Sequence, residues 1–143
     1  MTNLYLEMKR KHEKDFGEFP IMYAFNKEQF HKGMLKLGLE ITDTDKVYKT
    51  AAGGFYKKED SQQLKDLLDN SSKEMEDAIK ADTTGNGFIF SMFDYELSNH
   101  EYGYTMDIAD TLSALNFTLE EINKSEPLKN GLQYAMLSQR EEE

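Results

Sequence analysis

The sequence predicts a mainly α-helical fold, a compact bundle of about six to eight short helices. Two observations support this fold class. Apolar residues recur at three- and four-residue spacing along most of the chain, which places them on one face of a helix. Capping residues stand just before several of these periodic segments. Two short runs near residues 20–25 and 53–57 lack the helical period, and they predict a minor β-hairpin or extended segment.

The length of the chain fits one domain. A chain of 143 residues buries about two-thirds of its unfolded surface on folding, so it can form a core of its own. No repeat or long linker divides the sequence, and we expect a single helical domain over residues 1–140. The glutamates at 141–143 predict a frayed acidic tail.

Three helices are predicted in the first part of the chain. Asn26, followed by Gln29 three residues later, forms the pattern of a capping box, and it marks the start of the second helix. Gly38 ends that helix. The three helices are expected at residues 3–16, from Asn26 to Gly38, and from Thr42 or Asp43 through Val47 and Tyr48.

The second part of the chain continues the helical pattern. Thr118 and Glu121 form a second capping box, and Pro127 is a residue type favoured in the first turn of a helix. The expected segments are a helix at 60–81, a glycine-containing loop at 82–87, a helix carrying Ile89, Met92, Phe93, Glu96 and Leu97, an irregular loop at 99–104, and three helices starting at Thr105, Thr118 and Ser125.

The net charge of −10 is unevenly distributed. Residues 1–60 hold 11 Lys/Arg and 10 Asp/Glu, whereas residues 61–143 hold 6 and 17. No Lys or Arg occurs between Ala81 and Asn123, a stretch with eight acids. Such a surface repels phosphates and attracts basic surfaces, which argues against direct nucleic-acid binding. Ordinary solubility is the alternative explanation of this charge.

Seven of these acids are the predicted partner-binding residues, and the expected partner is a protein with a basic surface. Residues 109–122 have the pattern of a helix-turn-helix half, but a DNA reader needs Arg or Lys where this chain has acids. The predicted partner-binding residues are Asp94, Glu96, Glu101, Asp107, Asp110, Glu120 and Glu121.

The chain carries no membrane signal. No run approaches the roughly 18 apolar residues of a membrane span, and the N-terminus has no apolar leader segment. We therefore expect a cytoplasmic protein that does not bind membranes. The absence of cysteine excludes thiolate zinc sites and a cysteine nucleophile, and no cofactor is expected.

A polar and aromatic segment interrupts the base-free stretch, and it is the best candidate for a ligand-binding or active site. A histidine beside a carboxylate is a common arrangement of a general base and its orienting partner. Such a role requires the side chains to converge in a pocket. The alternative is a hydrogen-bonded turn around Gly103. The candidate ligand residues are Asn99, His100, Glu101, Tyr102 and Tyr104.

The loop after the long helix resembles a calcium-binding EF-hand loop. Asp82 stands at the first ligand position, Asn86 at the fifth and Gly87 at the sharp turn. The twelfth position, which normally supplies a bidentate glutamate, is Phe93. Asp82 and Asn86 are therefore the metal candidates. The alternative is a helix–turn–helix in which Asp82 caps the turn.

Three segments are distinctive: Gly53-Gly54-Phe55-Tyr56, Thr84 to Ile89, and Asn99 to Thr105. Together they resemble a family of short, uncharacterised acidic proteins of Firmicutes and their phages and mobile elements. The resemblance covers most of the chain and implies no established activity. Small acidic accessory proteins of phages are often inhibitors of host machinery, including anti-CRISPR and anti-restriction proteins. The resemblance implies such a function for this chain by analogy alone, because no motif is shared with those inhibitors.

The charge pattern predicts a non-enzymatic interaction protein, and the resemblance implies that a phage or mobile element encodes it. It would inhibit a host protein by docking an acidic surface on a basic, nucleic-acid-binding site, in the manner of an anti-CRISPR protein. One alternative is a small-ligand binder or enzyme centred on His100 and Glu101. Another is a divalent-cation binder at 82–89. No residue is assigned a catalytic role.

Overall fold

The structure, a computed structural model, describes residues 3–141 and confirms a mainly α-helical fold. Eight α-helices and three short strands occur in this range. In chain order the elements are α1 (Leu4–Gly17), β1 (Ile21–Tyr23), α2 (Lys27–Lys36), β2 (Val47–Lys49), β3 (Gly54–Lys57), α3 (Ser61–Ala81), α4 (Phe88–Asn99), α5 (Tyr102–Thr105), α6 (Ala109–Leu115), α7 (Leu119–Asn123) and α8 (Glu126–Glu141).

The chain divides into two compact units. The middle unit is His12–Ser72, and the terminal unit comprises the described residues before His12 and after Ser72. Helices α1 and α3 contribute residues to both units. Within residues 3–141, no helix combines the length and the apolar character needed to cross a membrane.

The middle unit contains a three-stranded antiparallel sheet with the order β1-β3-β2. Met22 of β1 pairs with Phe55 of β3, and α2 packs against β1. The extended segments predicted near 20–25 and 53–57 are thus confirmed as β1 and β3. The buried core of this unit consists of Met22, Met34, Leu37 and Val47.

The third predicted helix, which was to carry Val47 and Tyr48, is wrong. Thr44–Lys46 form a single 3-10 turn, and the two following residues belong to β2. Tyr48 pairs with Tyr56 of β3. Val and Tyr favour strands, and pairing with the following strand outweighs a weak local helix signal.

The terminal unit is built around α4. Helix α4 packs along α8 and also contacts α5 and α6, while α7 packs against α8. Its apolar positions are spaced so widely around the helix that neighbours are needed on several sides. The residues of α4 with no exposed surface are Ile89, Met92, Phe93 and Leu97.

The loop between α3 and α4 lies against α8. Gly85 has a φ of +88°, and a Cβ atom at this position would clash with the carbonyl oxygen of Pro127. Only glycine combines this backbone conformation with so close an approach. The glycine therefore fixes the loop that contains Asp82 against the last helix.

The predicted helix starts at Asn26 and Thr118 are confirmed. Asn26 Oδ1 accepts a hydrogen bond from the Gln29 N–H at 2.8 Å. The Thr118 side chain accepts from the Glu121 N–H at 3.1 Å, and Glu121 Oε1 accepts from the Thr118 N–H at 3.2 Å. Both starts depend on neighbours within one turn, which is why the sequence predicts them.

The irregular loop predicted at 99–104 is largely wrong. Asn99 is the last residue of α4, and residues 102–105 form the one-turn helix α5. Thr105 therefore ends a helix and does not cap one; α6 begins only at Ala109. Tyr102 is buried and holds this turn against the core. A contact of this kind depends on residues distant in the chain, so the local sequence pattern does not predict it.

Candidate functional site

The candidate site is the end of α4 and the turn that follows it. Helix α4 places Met92, Phe93 and Glu96 at three- and four-residue spacing, so the carboxylate of Glu96 lies on the apolar face. Glu96 is 3% exposed. A buried carboxylate needs a cation or hydrogen-bond donors close to it.

Lys9 of α1 supplies that cation. Its Nζ lies 3.4 Å from Glu96 Oε1, and His100 Nε2 lies 3.9 Å from Glu96 Oε2. Glu96 was predicted to face a partner, and the structure corrects this, because a buried, paired carboxylate is not available for docking. Its helical spacing with Met92 and Phe93 was the sequence signal of burial, whereas Lys9 carried no signal of its own.

Tyr102 is a second correction to the predicted ligand residues. It is 1% exposed, and its hydroxyl oxygen accepts a hydrogen bond from Arg140 Nη2 at 3.2 Å. Its ring therefore belongs to the core of the terminal unit and anchors α5. A ligand could not reach it without displacing this packing.

Two residues in the left-handed conformation flank α5. Glu101 has a φ of 58° and Met106 a φ of 59°. We call the segment Glu101–Met106 the Tyr104 turn. The Tyr104 N–H donates to the Glu101 carbonyl at 3.0 Å, and the Met106 N–H donates to the Tyr102 carbonyl. These bonds close one helical turn that has a residue in the left-handed conformation at each end.

The Tyr104 turn presents apolar side chains to solvent. Tyr104 is 91% exposed and Met106 is 49% exposed. Neither side chain is part of the apolar cluster of the terminal unit. The turn thus has one tyrosine in the core and, two residues later, one tyrosine in water.

Glu101 lines a surface depression that His100 does not line. A surface depression of about 480 Å³ is lined by Ser98, Glu101, Gly103, Tyr104 and Gln139. His100 is absent from this lining and faces the buried Glu96 instead. Asn99 is exposed at the end of α4 and is also absent from the lining. Of the five candidate ligand residues, the depression brings together only Glu101 and Tyr104.

Several of the predicted partner-binding acids have structural partners. Asp94 is half-buried, and its Oδ1 accepts from Gln139 Nε2 at 2.9 Å. Glu121 is occupied by its capping box. Glu120 lies 3.0 Å from Lys124 Nζ in an exposed ion pair. These three acids are therefore less available to a partner than their position in the sequence suggests.

Of the seven predicted partner-binding acids, three are exposed and have no ion pair within residues 3–141: Glu101, Asp107 and Asp110. One oxygen of Asp107 accepts from the Ala109 N–H at 2.9 Å, which stabilises the start of α6. Glu101 lies within the Tyr104 turn, and Asp107 and Asp110 lie among the four residues that follow it. Of the predicted partner-binding acids, these three are the most available to a partner.

Asp82, the first metal candidate, is occupied by its own loop. Oδ1 accepts from the Thr84 and Gly85 N–H groups, and Oδ2 accepts from those of Gly87 and Ile89. Burial raises the pKa of this carboxyl, but the four backbone donors outweigh it and hold the pKa below its ordinary value. The carboxylate therefore acts as a cap that joins α3 to α4.

Asn86, the second metal candidate, is exposed, and its N–H donates to Thr84 Oγ1 at 3.1 Å. Within the part of the chain that the structure describes, no three His, Cys, Asp or Glu side chains are close enough to hold a metal ion. The geometry of the loop is that of the capping alternative.

Comparison with known proteins gives one assignment. No curated protein and no solved structure matches the chain. A family model described as a family of unknown function, DUF7659, matches residues 4–138. The match covers nearly the whole chain, α1 to α8, and the chain therefore belongs to this family.

Proposed function

We propose that this chain is an interaction protein without enzymatic activity, whose terminal unit binds a basic surface of another protein. The contact is made by the exposed carboxylates of Glu101, Asp107 and Asp110. The charge of the terminal unit supports this function. Residues 1–11 and 73–143, which include this unit, hold 8 Lys/Arg against 16 Asp/Glu, whereas residues 12–72 hold 9 against 11. A basic partner would be drawn to the terminal unit first.

The exposure of these three carboxylates carries the proposal. They lie within ten residues of one another, and no lysine or arginine occurs in the sequence between Lys80 and Lys124. Carboxylates at this density substitute for the phosphates of a nucleic acid on a basic surface. The partner that fits best is thus a protein that itself binds nucleic acid.

The biological form that we propose is an inhibitor encoded by a phage or mobile element of Firmicutes. It acts in the bacterial cytoplasm on a nucleic-acid-binding host enzyme, as anti-CRISPR proteins do by analogy. The alternatives have less support. For the ligand-binding or enzymatic alternative, His100 does not line the depression beside Glu101. For the cation-binding alternative, the oxygens of Asp82 already accept backbone hydrogen bonds.

The test uses the heparin-binding protein fraction of a Gram-positive lysate, which is enriched in proteins with basic surfaces. The wild-type chain and a Glu101→Gln/Asp107→Asn/Asp110→Asn variant are immobilised side by side. The amides keep the size of the side chains, and an amide at position 107 can still cap α6. The matched control removes three exposed acids of the middle unit: Glu13→Gln/Glu18→Gln/Glu40→Gln.

We expect the wild type and the control to retain the same basic protein at about 50 mM salt and to release it at about 300 mM. The terminal-unit variant should retain much less of it. Failure of all three chains to retain a basic protein would contradict the proposed function. Equal retention by all three would contradict the assignment of the surface.

A further inference from the structure

We propose that Tyr104 is the anchor of this interaction, and that the partner has an apolar pocket within its basic surface that receives the tyrosine ring. This inference rests on the proposed function and deepens it, because it names the residue that contributes most to affinity and the shape of the surface it fits. It is carried by the exposure of Tyr104, the packing beneath it and the charges around it.

Tyr104 is exceptional in its exposure. At 91% it is the most exposed large apolar side chain within residues 3–141. Three other exposed tyrosines of that range, Tyr23, Tyr48 and Tyr134, are between 45% and 50% exposed. Tyrosine, together with Trp and Arg, is enriched among the residues that contribute most to binding at interfaces. Its large apolar ring contributes favourable free energy when a partner removes it from water.

The packing of Tyr102 fixes the backbone turn that carries Tyr104. Tyr102, two residues earlier, is buried, and its hydroxyl is bound by Arg140 of α8. Residues two apart on a helical turn project in nearly opposite directions, so the burial of Tyr102 directs Tyr104 outward. Because the turn is already fixed, binding orders the Tyr104 side chain alone and not the backbone that carries it.

The surroundings of Tyr104 define the partner. Glu101 and Asp107 flank it in sequence, Asp110 follows one turn later, and Met106 adds a second exposed apolar group. Arg140 of α8 contacts this turn through the hydroxyl of Tyr102. An apolar pocket ringed by Lys or Arg side chains complements this arrangement, because the ring enters the pocket while the carboxylates meet the rim.

Charge also decides between classes of partner. A membrane surface rich in anionic lipids repels the same carboxylates. A single-stranded nucleic acid could stack a base on the ring, but its phosphates would face three carboxylates. A basic protein meets both the ring and the charges favourably, and we commit to it.

The first test places a photo-crosslinking phenylalanine analogue at position 104 and, as a matched control, at position 134 of α8. Both chains are mixed with the heparin-binding fraction and irradiated, and the cross-linked peptides are sequenced. We expect position 104 to cross-link to a segment that contains both apolar residues and Lys or Arg. Cross-linking from position 134 alone, or from position 104 to nucleic acid or lipid, would overturn the proposal.

The second test titrates the purified cross-linked protein with Tyr104→Ala, Tyr104→Phe and Tyr134→Ala variants at several salt concentrations. Loss of an interface hot spot lowers affinity about 30-fold. We expect that loss for Tyr104→Ala at every salt concentration, with an unchanged salt slope, because an apolar contact is not screened. Tyr104→Phe and Tyr134→Ala should bind within about threefold of the wild type.

The two proposals fail differently in these titrations. If Tyr104→Ala binds like the wild type while the terminal-unit acid variant loses affinity, the anchor is wrong and the acidic docking surface stands. If no basic protein binds the wild type, both are wrong. Because Tyr104 lies in solvent, its alanine variant should keep the wild-type melting temperature, so a loss of binding cannot be attributed to unfolding.

Discussion

Lys9 Nζ lies 3.4 Å from Oε1 of Glu96, and this ion pair joins α1 to the buried face of α4. The exposed fraction of the Glu96 side chain is 4%, whereas that of Lys9 is 33%. Lys9 also faces the ring of Tyr95 at 5.3 Å. The lysine thus brings a positive charge to the buried carboxylate while its side chain remains partly exposed to water.

We expect Lys9→Met to lower the free energy of unfolding by about 2 kcal/mol, because it leaves the Glu96 carboxylate buried without its cation. The estimate is below that for a fully buried pair, since water reaches Lys9. The matched control is Lys11→Met, which removes a surface pair with Glu74 at 3.0 Å and should cost less than about 0.5 kcal/mol. Urea unfolding measures both, and equal losses would contradict the buried role of Lys9.

Asp82→Ala should lower the free energy of unfolding by about 2 kcal/mol near neutral pH, since four backbone N–H groups lose their acceptor. Asp69→Ala on the exposed surface of α3 is the control and should be nearly neutral. Urea unfolding of both variants and the wild type provides the comparison.

The same Asp82 predicts a pH dependence. Its folded-state pKa lies below the ordinary value of 3.8, so the unfolded chain takes up this proton first as the pH falls. The stabilisation is therefore complete above about pH 4 and is lost as the pH falls through the lower folded-state pKa. The difference between wild type and Asp82→Ala should shrink in acid. A difference that grows there would show that the carboxylate does not act as an ionised cap.

Calcium should leave the melting temperature of the wild type unchanged, because backbone donors already occupy both oxygens of Asp82. A ligand that bound the folded chain would raise the melting temperature with its concentration. Calorimetry with and without calcium chloride measures this. A rise that Asp82→Asn abolishes would restore the cation-binding alternative.

Glu101→Gly should raise the free energy of unfolding by about 0.5–1 kcal/mol, because glycine adopts the left-handed conformation without the steric cost that Glu101 bears. Glu101→Ala removes the same charge and keeps the strain, so it serves as the control. Thermal unfolding of the two variants separates the effects, and an equal gain in both would attribute the change to charge.

The local features of this fold were predictable and the non-local ones were not. The capping box of Thr118 and Glu121 depends on residues within one turn, and the sequence predicts it. The strand that contains Tyr48 depends on its pairing with Tyr56, and short-range periodicity suggested a helix there.

The candidate site shows the same limit. Tyr102 and Tyr104 stand two residues apart with similar neighbours, yet one is buried and the other is 91% exposed. Tyr102 packs in the apolar cluster of the terminal unit, and its hydroxyl accepts a hydrogen bond from Arg140, 38 residues along the chain. The predicted partner-binding acids likewise included Glu96, although its helical spacing with Met92 and Phe93 indicated burial.

The most direct test of the proposed function is the salt dependence of affinity for the basic protein recovered from the heparin-binding fraction. The dissociation constant is measured over a range of salt for the wild type, the Glu101→Gln/Asp107→Asn/Asp110→Asn variant and the Glu13→Gln/Glu18→Gln/Glu40→Gln control. We predict weaker binding and a shallower slope of log Kd against log salt for the terminal-unit variant alone. The same slope and affinity in all three chains would contradict docking through these carboxylates.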